Sequence, residues 1–118
     1  MSNALRELEE WLDAFKKTDK AIVVEGRKDR EALRQLGVKT EVIELNNRAL
    51  YKVIESIADN HKRVIILTDL DRQGKRLYSI LKSGLLERGV EVDNIFREFL
   101  FKKTRLRQIE GLAAYMKH

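Results

Sequence analysis

Acidic residues follow two strongly apolar segments of the 118-residue chain. Glu25 comes directly after Ala21-Ile22-Val23-Val24. Asp69 and Asp71 come just after Val64-Ile65-Ile66-Leu67. If the two segments are neighbouring strands, the three carboxylates converge, and protonation or a cation must relieve their repulsion. Carboxylate oxygens without His or Cys favour Mg2+ or Mn2+ over zinc, so these residues predict a site for a hard divalent cation.

Glycines and basic side chains beside these acids are suited to binding phosphate. Gly26 and Gly74 would let a ligand approach the backbone closely. The helices predicted to follow would add a favourable dipole for an anion at their N-termini. A bound divalent ion orients phosphate and stabilises charge on its oxygens, which suits a phosphodiester or polyphosphate. The basic side chains predicted to contact that phosphate are Arg27, Lys28, Arg72 and Lys75.

The same acids have a purely structural interpretation. Acidic residues often cap the N-termini of helices, and Asp71 could cap a helix that begins at residue 73. Asp-x-Asp or Glu-Gly is a weak signal when it stands alone. Both occur here after separate apolar strands, and this combination favours a metal site over caps alone.

Apolar periodicity divides the chain into alternating helices and strands, which indicates an α/β fold with a parallel sheet. Ligands of such sheets bind at the carboxyl ends of the strands, where the acids lie. The predicted helices are 3–17, 28–36, one from Asn46 or Asn47 to 59, 73–87, 94–101 and 105–116, and the predicted strands are 21–24, 41–45, 64–67 and 90–92.

The excess of positive charge lies in the last quarter of the chain. The formal net charge is +5, and residues 94–118 hold six basic side chains against two acidic ones. A local basic surface attracts nucleic acid, although a solvated helix face has the same composition. Among the phenylalanines of this region, Phe101 is expected to be exposed. The side chains predicted to hold a nucleic-acid strand are Lys102, Lys103, Arg105 and Arg107.

Composition excludes several classes of protein. No apolar run reaches the length of a membrane span, and the acidic residues of the first helix argue against a secretion signal. The chain has no Cys, which excludes disulfides, thiolate–zinc sites and cysteine nucleophiles. We expect one cytoplasmic domain over residues 1–118 that is a monomer or a homodimer and has no membrane partner.

The paired motifs resemble the Toprim domain, the module shared by topoisomerases, DnaG-type primases, OLD-family nucleases and the 5S rRNA maturase. The matching segments are Ile22–Asp29, with hydrophobic–Glu-Gly, and Ile65–Lys75, with hydrophobic–Asp-x-Asp-x-x-Gly. The resemblance covers roughly residues 20–93, and the chain as a whole is similar to the small stand-alone Toprim proteins. It leaves an N-terminal helix over 3–17 and basic helices over 94–118 outside the motif core.

This resemblance implies a fold and a set of roles. The fold is a Rossmann-like α/β arrangement, with a central four-stranded parallel sheet flanked by helices and the first and third strands adjacent. Glu25 would act as a general acid/base or a metal ligand. Asp69 and Asp71 would coordinate Mg2+, and Asp29, which matches a further acid of the family, is a fourth candidate metal ligand. Lys75 departs from the family pattern, because topoisomerases usually have Glu at that position.

The leading prediction is therefore a Mg2+-dependent enzyme, or enzyme component, acting on nucleic-acid phosphodiesters, with nuclease or RNA-processing chemistry favoured. A binding module for Mg2+ and for nucleic acid or a nucleotide, acting with a partner protein, is the alternative. A structural domain with vestigial acids is the third. The tyrosines at 51, 78 and 115 are expected in the core or on the surface and not as nucleophiles.

Overall fold

The computed structural model describes residues 3–116, with side chains from residue 6 onward, so Lys117 of the basic end lies outside the described residues. The helices are α1 (Asn3–Lys16), α2 (Arg27–Gln35), α3 (Leu50–Asn60), α4 (Arg72–Glu87), α5 (Ile95–Lys103) and α6 (Leu112–Met116), the last preceded by a 3₁₀ turn (Ile109–Gly111). The strands are β1 (Ala21–Val24), β2 (Val42–Glu44), β3 (Arg63–Ile66) and β4 (Glu91–Asp93).

The four strands form one parallel sheet in the order β2-β1-β3-β4. The two most apolar strands are therefore neighbours at its centre, with Ile22 opposite Ile65 and Val23 opposite Ile66. Their carboxyl ends meet at one edge, and the pairing continues into the loop, where the Leu67 N–H donates to the Val23 carbonyl at 2.8 Å. The expected fold class and the adjacency of the first and third strands are confirmed.

Helices cover both faces of the sheet, because alternate side chains of the central strands point to opposite sides. Ile22, Val24 and Ile65 belong to a core shared with α1, α2, α5 and the 3₁₀ turn. Val23 and Ile66 belong to a second core, shared with α3 and α4. Within the described part of the chain, no helix is long and apolar enough to cross a membrane.

The third helix begins later than the sequence predicts. Asn46 and Asn47 were expected to cap it, but both adopt positive φ, 44° and 60°, and form a turn after β2. Asparagine tolerates this left-handed conformation better than most residues. The helix then begins at Leu50, with Ala49 as its N-cap residue and no side-chain cap hydrogen bond.

The predicted helix over 105–116 is wrong in its first four residues. Residues 105–108 are irregular, and helical structure resumes only at Ile109. The Thr104 hydroxyl ends α5 by donating to the Leu100 carbonyl at 2.6 Å, and it accepts the Leu106 N–H at 3.2 Å. The Arg107 carbonyl accepts the Leu70 N–H at 2.8 Å, so this segment bonds to the loop after β3 instead of to itself.

Candidate functional site

Glu25 and Asp69 meet at the carboxyl edge of the sheet. The Glu25 Oε2 atom accepts the Asp69 N–H at 2.8 Å, across 44 residues of sequence. Both side chains are partly buried. The contact follows directly from the adjacency of β1 and β3, since each residue stands in the loop that leaves its strand.

The C-terminal segment closes one side of this pair. The Asp69 Oδ1 atom accepts the Ile109 N–H at 2.7 Å, so the carboxylate holds the first residue of the 3₁₀ turn. With the bond between Leu70 and the Arg107 carbonyl, two backbone contacts join residues 107–109 to residues 69–70. The basic end of the chain is thereby fixed beside the acidic pair.

Asp71 lies at the N-terminus of α4 and caps it. Its Oδ1 atom accepts the Gly74 N–H at 2.7 Å, and the residue is exposed. Asp71 therefore acts as the helix cap that the structural interpretation of the acids predicts. Its negative charge is nevertheless close enough to the other acids to raise the pKa values of Glu25 and Asp69.

Asp29 is the most buried of the four acids, with 6% of its surface exposed. Its Oδ2 atom accepts the Gly26 N–H at 3.0 Å and so closes the first turn of α2. Burial raises its pKa to about 6, and the charges of Asp69 and Glu110 add to the effect. Glu110, which the sequence analysis did not select, therefore belongs to the electrostatic surroundings of the site.

Burial and mutual repulsion disfavour the charged forms of Glu25 and Asp69. Burial raises the pKa values of Glu25 and Asp69, and neighbouring carboxylates raise them further, against the lowering effect of the backbone hydrogen bonds. Among residues 6–116, none of Glu25, Asp29, Asp69 and Asp71 forms an ion pair with Lys, Arg or His. The carboxylates at this edge of the sheet therefore repel one another without a directly paired basic side chain.

The donor chemistry of this edge suits Mg2+, but the acids are not grouped as a finished cluster. Between residues 3 and 116, no three His, Asp or Glu side chains are placed so that they could together hold a metal ion. Backbone amides occupy one oxygen each of Glu25, Asp69 and Asp71. Within the described chain, no N–H group donates to the second oxygen of these three residues, and those oxygens are hard ligands of the kind Mg2+ prefers.

The two glycines of the motifs have different surroundings. A Cβ atom at Gly74 would overlap the backbone of Asp69, so only glycine lets α4 approach the loop so closely. The Gly74 carbonyl also accepts the buried Thr68 hydroxyl at 2.8 Å. At Gly26, by contrast, a Cβ atom would make only an ordinary contact, 3.7 Å from Asn46 Oδ1. Internal packing therefore explains glycine at position 74 without a ligand, and phosphate binding at both positions stays a prediction.

The predicted phosphate-binding side chains all lie on the surface. Lys28 lies in the first turn of α2, Arg72 and Lys75 lie in the first turn of α4, and all three are exposed. Lys103 lies 3.6 Å from Glu7 in an exposed ion pair. The remaining basic side chains of the C-terminal group, all exposed, are Lys102, Arg105 and Arg107.

Arg97 is the residue of this region that sequence reasoning placed wrongly. It is one of the six basic side chains of residues 94–118, which were expected to form a basic surface, but it is 7% exposed and donates to the carbonyls of Thr68 and Asp69. Phe101, expected to be exposed, is 9% exposed and lies against the Arg97 guanidinium. A basic residue on the apolar face of α5, one turn from Phe101, was the available signal.

Comparisons with known proteins agree with this architecture. Residues 20–97 match the Toprim domain family. A UPF0292 protein of Pyrococcus abyssi is 41% identical over 101 residues, which cover 86% of this chain and 75% of that protein. A UPF0292 protein of Methanocaldococcus jannaschii is 33% identical over 101 residues, covering 83% of this chain and 79% of that protein.

A solved structure has the same fold over almost its whole length. This structure, a putative protein from Aquifex aeolicus, superposes with a TM-score of 0.80 at 34% sequence identity. The match covers 89% of this chain and 97% of that one. On the family match, these relatives and the shared fold, the chain belongs to the Toprim domain family and, within it, to the UPF0292 proteins.

Proposed function

We propose that this Toprim chain is a Mg2+-dependent enzyme, or a component of one, that acts on nucleic-acid phosphodiesters by nuclease or RNA-processing chemistry. The observation that supports it best is the junction of the C-terminal segment with the acids. Backbone bonds join Arg107 and Ile109 to Leu70 and Asp69. A strand bound along the basic segment would therefore pass beside the carboxylates.

Asp69 and Asp71 would hold the metal ion, with Glu25 as a further ligand or as the group that carries a proton. Mg2+ is commonly held by one or two carboxylates and keeps several waters, so a finished three-ligand cluster is not required. Mg2+ bound there would neutralise charge on the phosphate and orient it. Burial raises the pKa of Glu25, which is the direction that a carboxyl group acting as a general acid requires.

The basic side chains would position the strand. Lys28, Arg72 and Lys75 lie in the first turns of the two helices that start at the carboxyl edge. Lys102, Arg105 and Arg107 would contact phosphates further along. Contacts to phosphate do not depend on the nucleotide sequence, and they weaken as the salt concentration rises.

A cleavage panel tests the enzymatic proposal. Labelled single- and double-stranded RNA and DNA are incubated with the protein in Mg2+, Mn2+ or EDTA. We expect cleavage that requires metal and that falls by about 10²–10⁴-fold in Glu25→Gln. The matched control is Glu9→Gln, which changes an exposed glutamate of α1 in the same way. Equal loss in both variants, or cleavage that persists in EDTA, would contradict the proposal.

A second comparison tests the basic segment. In Arg105→Ala/Arg107→Ala we expect weaker binding and a salt dependence reduced by about one phosphate contact per removed charge. The control removes two exposed lysines, Lys39 and Lys62, which precede β2 and β3 at the opposite edge of the sheet. If this control weakens binding as much, the basic segment has no special role.

One observation favours a second function. Because no three-ligand cluster is assembled between residues 3 and 116, the chain could bind Mg2+ and nucleic acid, or a nucleotide, while a partner protein supplies the remaining groups. Salt-dependent binding without cleavage in the same panel supports this module. Cleavage by the isolated chain contradicts it.

A further inference from the structure

Arg97 places its guanidinium beneath the loop that carries the acids. It lies on α5 and is 7% exposed. Its Nε atom donates to the Thr68 carbonyl at 3.0 Å, and its Nη2 atom donates to the Asp69 carbonyl at 2.9 Å. One planar group therefore holds two consecutive carbonyls of the loop.

These two carbonyls belong to the two peptide groups that flank the Asp69 Cα atom. The first group is held at its other end by Glu25, which accepts the Asp69 N–H at 2.8 Å. The second is held at its other end by Arg107, whose carbonyl accepts the Leu70 N–H at 2.8 Å. Because each peptide group is planar, fixing both of its ends fixes its orientation. The backbone torsions of Asp69, and with them the direction of its Cα–Cβ bond, are thus held by four hydrogen bonds, while the Ile109 N–H holds the carboxylate itself.

Aromatic rings hold the guanidinium in place. Its central carbon lies 4.4 Å from the centre of the Tyr78 ring and 5.2 Å from that of the Phe101 ring. A planar guanidinium can stack on rings while donating two hydrogen bonds, whereas a lysine ammonium cannot reproduce that fork. The geometry therefore requires arginine and not merely a positive charge.

We propose that Arg97 is a positioning residue for the Asp69 carboxylate and sets the affinity of the site for a divalent cation. The inference rests on the metal site of the proposed function. A buried cation beneath two carboxylates should by its charge alone weaken metal binding. Its hydrogen bonds act in the opposite direction, because they keep the Asp69 carboxylate aimed beside Glu25. We infer that the positioning effect is the larger one.

Arg97→Lys and Arg97→Met separate geometry from charge. Mn2+ affinity is measured on the full-length protein by electron paramagnetic resonance, with no nucleic acid present. Loss of a residue that orients a metal ligand typically lowers affinity by about 10–100-fold, and we expect such a loss in both variants. Retention in Arg97→Lys with a gain in Arg97→Met would mean that only the charge matters, and would overturn the inference.

A milder variant keeps the test decisive if the Arg97 variants do not fold. Tyr78→Leu removes one ring from the guanidinium and leaves both hydrogen-bonded carbonyls and the arginine in place. We expect Mn2+ affinity to fall severalfold and amide hydrogen exchange at Asp69 and Leu70 to become faster. Tyr51→Leu is the control, since Tyr51 is 62% exposed on α3. Unchanged affinity and exchange in Tyr78→Leu would overturn the inference.

The wild-type protein separates this inference from the proposed function. If it binds no Mn2+, the metal site fails, and the inference fails with it. If it binds Mn2+ while the folded Arg97 variants bind equally well, the metal site stands and only the role of Arg97 is wrong. Binding by the wild type with loss in the variants supports both.

Discussion

The substitution Asp29→Asn should make the metal-free protein more stable at neutral pH. Burial, with the charges of Asp69 and Glu110, raises the pKa of Asp29 from 3.8 to about 6. The folded chain therefore holds this proton more tightly than the unfolded chain does. Stability from this group is complete below pH 3.8 and is lost as pH rises through about 6.

The magnitude follows from the size of the shift. A difference of about two pKa units, at about 1.4 kcal/mol per unit, means that ionised Asp29 costs the fold about 3 kcal/mol above pH 6. Asparagine cannot ionise, and its side-chain oxygen can still accept the Gly26 N–H that Asp29 accepts at 3.0 Å. The variant should therefore match the wild type near pH 4 and exceed it by up to about 3 kcal/mol at pH 7.5.

Urea denaturation in EDTA at several pH values between 4 and 8 measures this difference. Glu25 and Asp69 remain in both proteins, and because the charge of Asp29 helps to raise the pKa of Glu25, the measured gain includes the relief of that repulsion. Asp13→Asn is the control, because Asp13 is an exposed aspartate of α1. A variant that shows no gain at pH 7.5 relative to pH 4, or that loses stability throughout, would refute the reasoning.

Two further predictions concern the motif glycines and the cap of α4. Gly74→Ala should lose about 2 kcal/mol of stability, because its methyl group would overlap the Asp69 backbone. Gly26→Ala has room and an extended φ of −156°, so it should change stability by less than about 0.5 kcal/mol. Thermal melts that rank the two glycine variants in the opposite order would contradict this packing. Asp71→Ala should cost about 1 kcal/mol by removing the cap of α4, whereas Asp71→Asn keeps the cap and should cost little. Both Asp71 variants should bind Mn2+ more weakly; retained affinity would show that Asp71 serves only as a cap.

Much of the fold and the identity of the acids could be read from local pattern. Continuous apolar runs at 21–24 and 64–67 marked strands buried on both faces, and these became the central pair of the sheet. Because parallel strands end at one edge, Glu25 and Asp69 were expected to meet there. The structure joins them through the Asp69 N–H.

Other features could not be read from local pattern, because they depend on contacts between distant parts of the chain. Nothing near Arg97 in sequence reveals that it bonds carbonyls 28 and 29 residues earlier. Residues 105–108 were predicted as helix, yet the 3₁₀ turn begins only at Ile109. The Arg107 carbonyl accepts the Leu70 N–H, and the Ile109 N–H donates to the Asp69 carboxylate, so these groups bond outside the segment. The hydrogen bonds of a helical turn are replaced here by hydrogen bonds to a distant loop, which form only in the folded chain.

The amino-acid sequence by itself determined the order of helices and strands, the parallel sheet and the edge at which its acids gather. These properties follow from side-chain periodicity and from the rule that ligands bind where parallel strands end. Only the tertiary structure decided which backbone N–H donates a hydrogen bond to each acid and how deeply Asp29 is buried. It also placed a buried arginine beneath the acids. Burial raises the pKa of a carboxyl group only when the surrounding segments have packed, so the chemistry of these side chains is a property of the assembled fold.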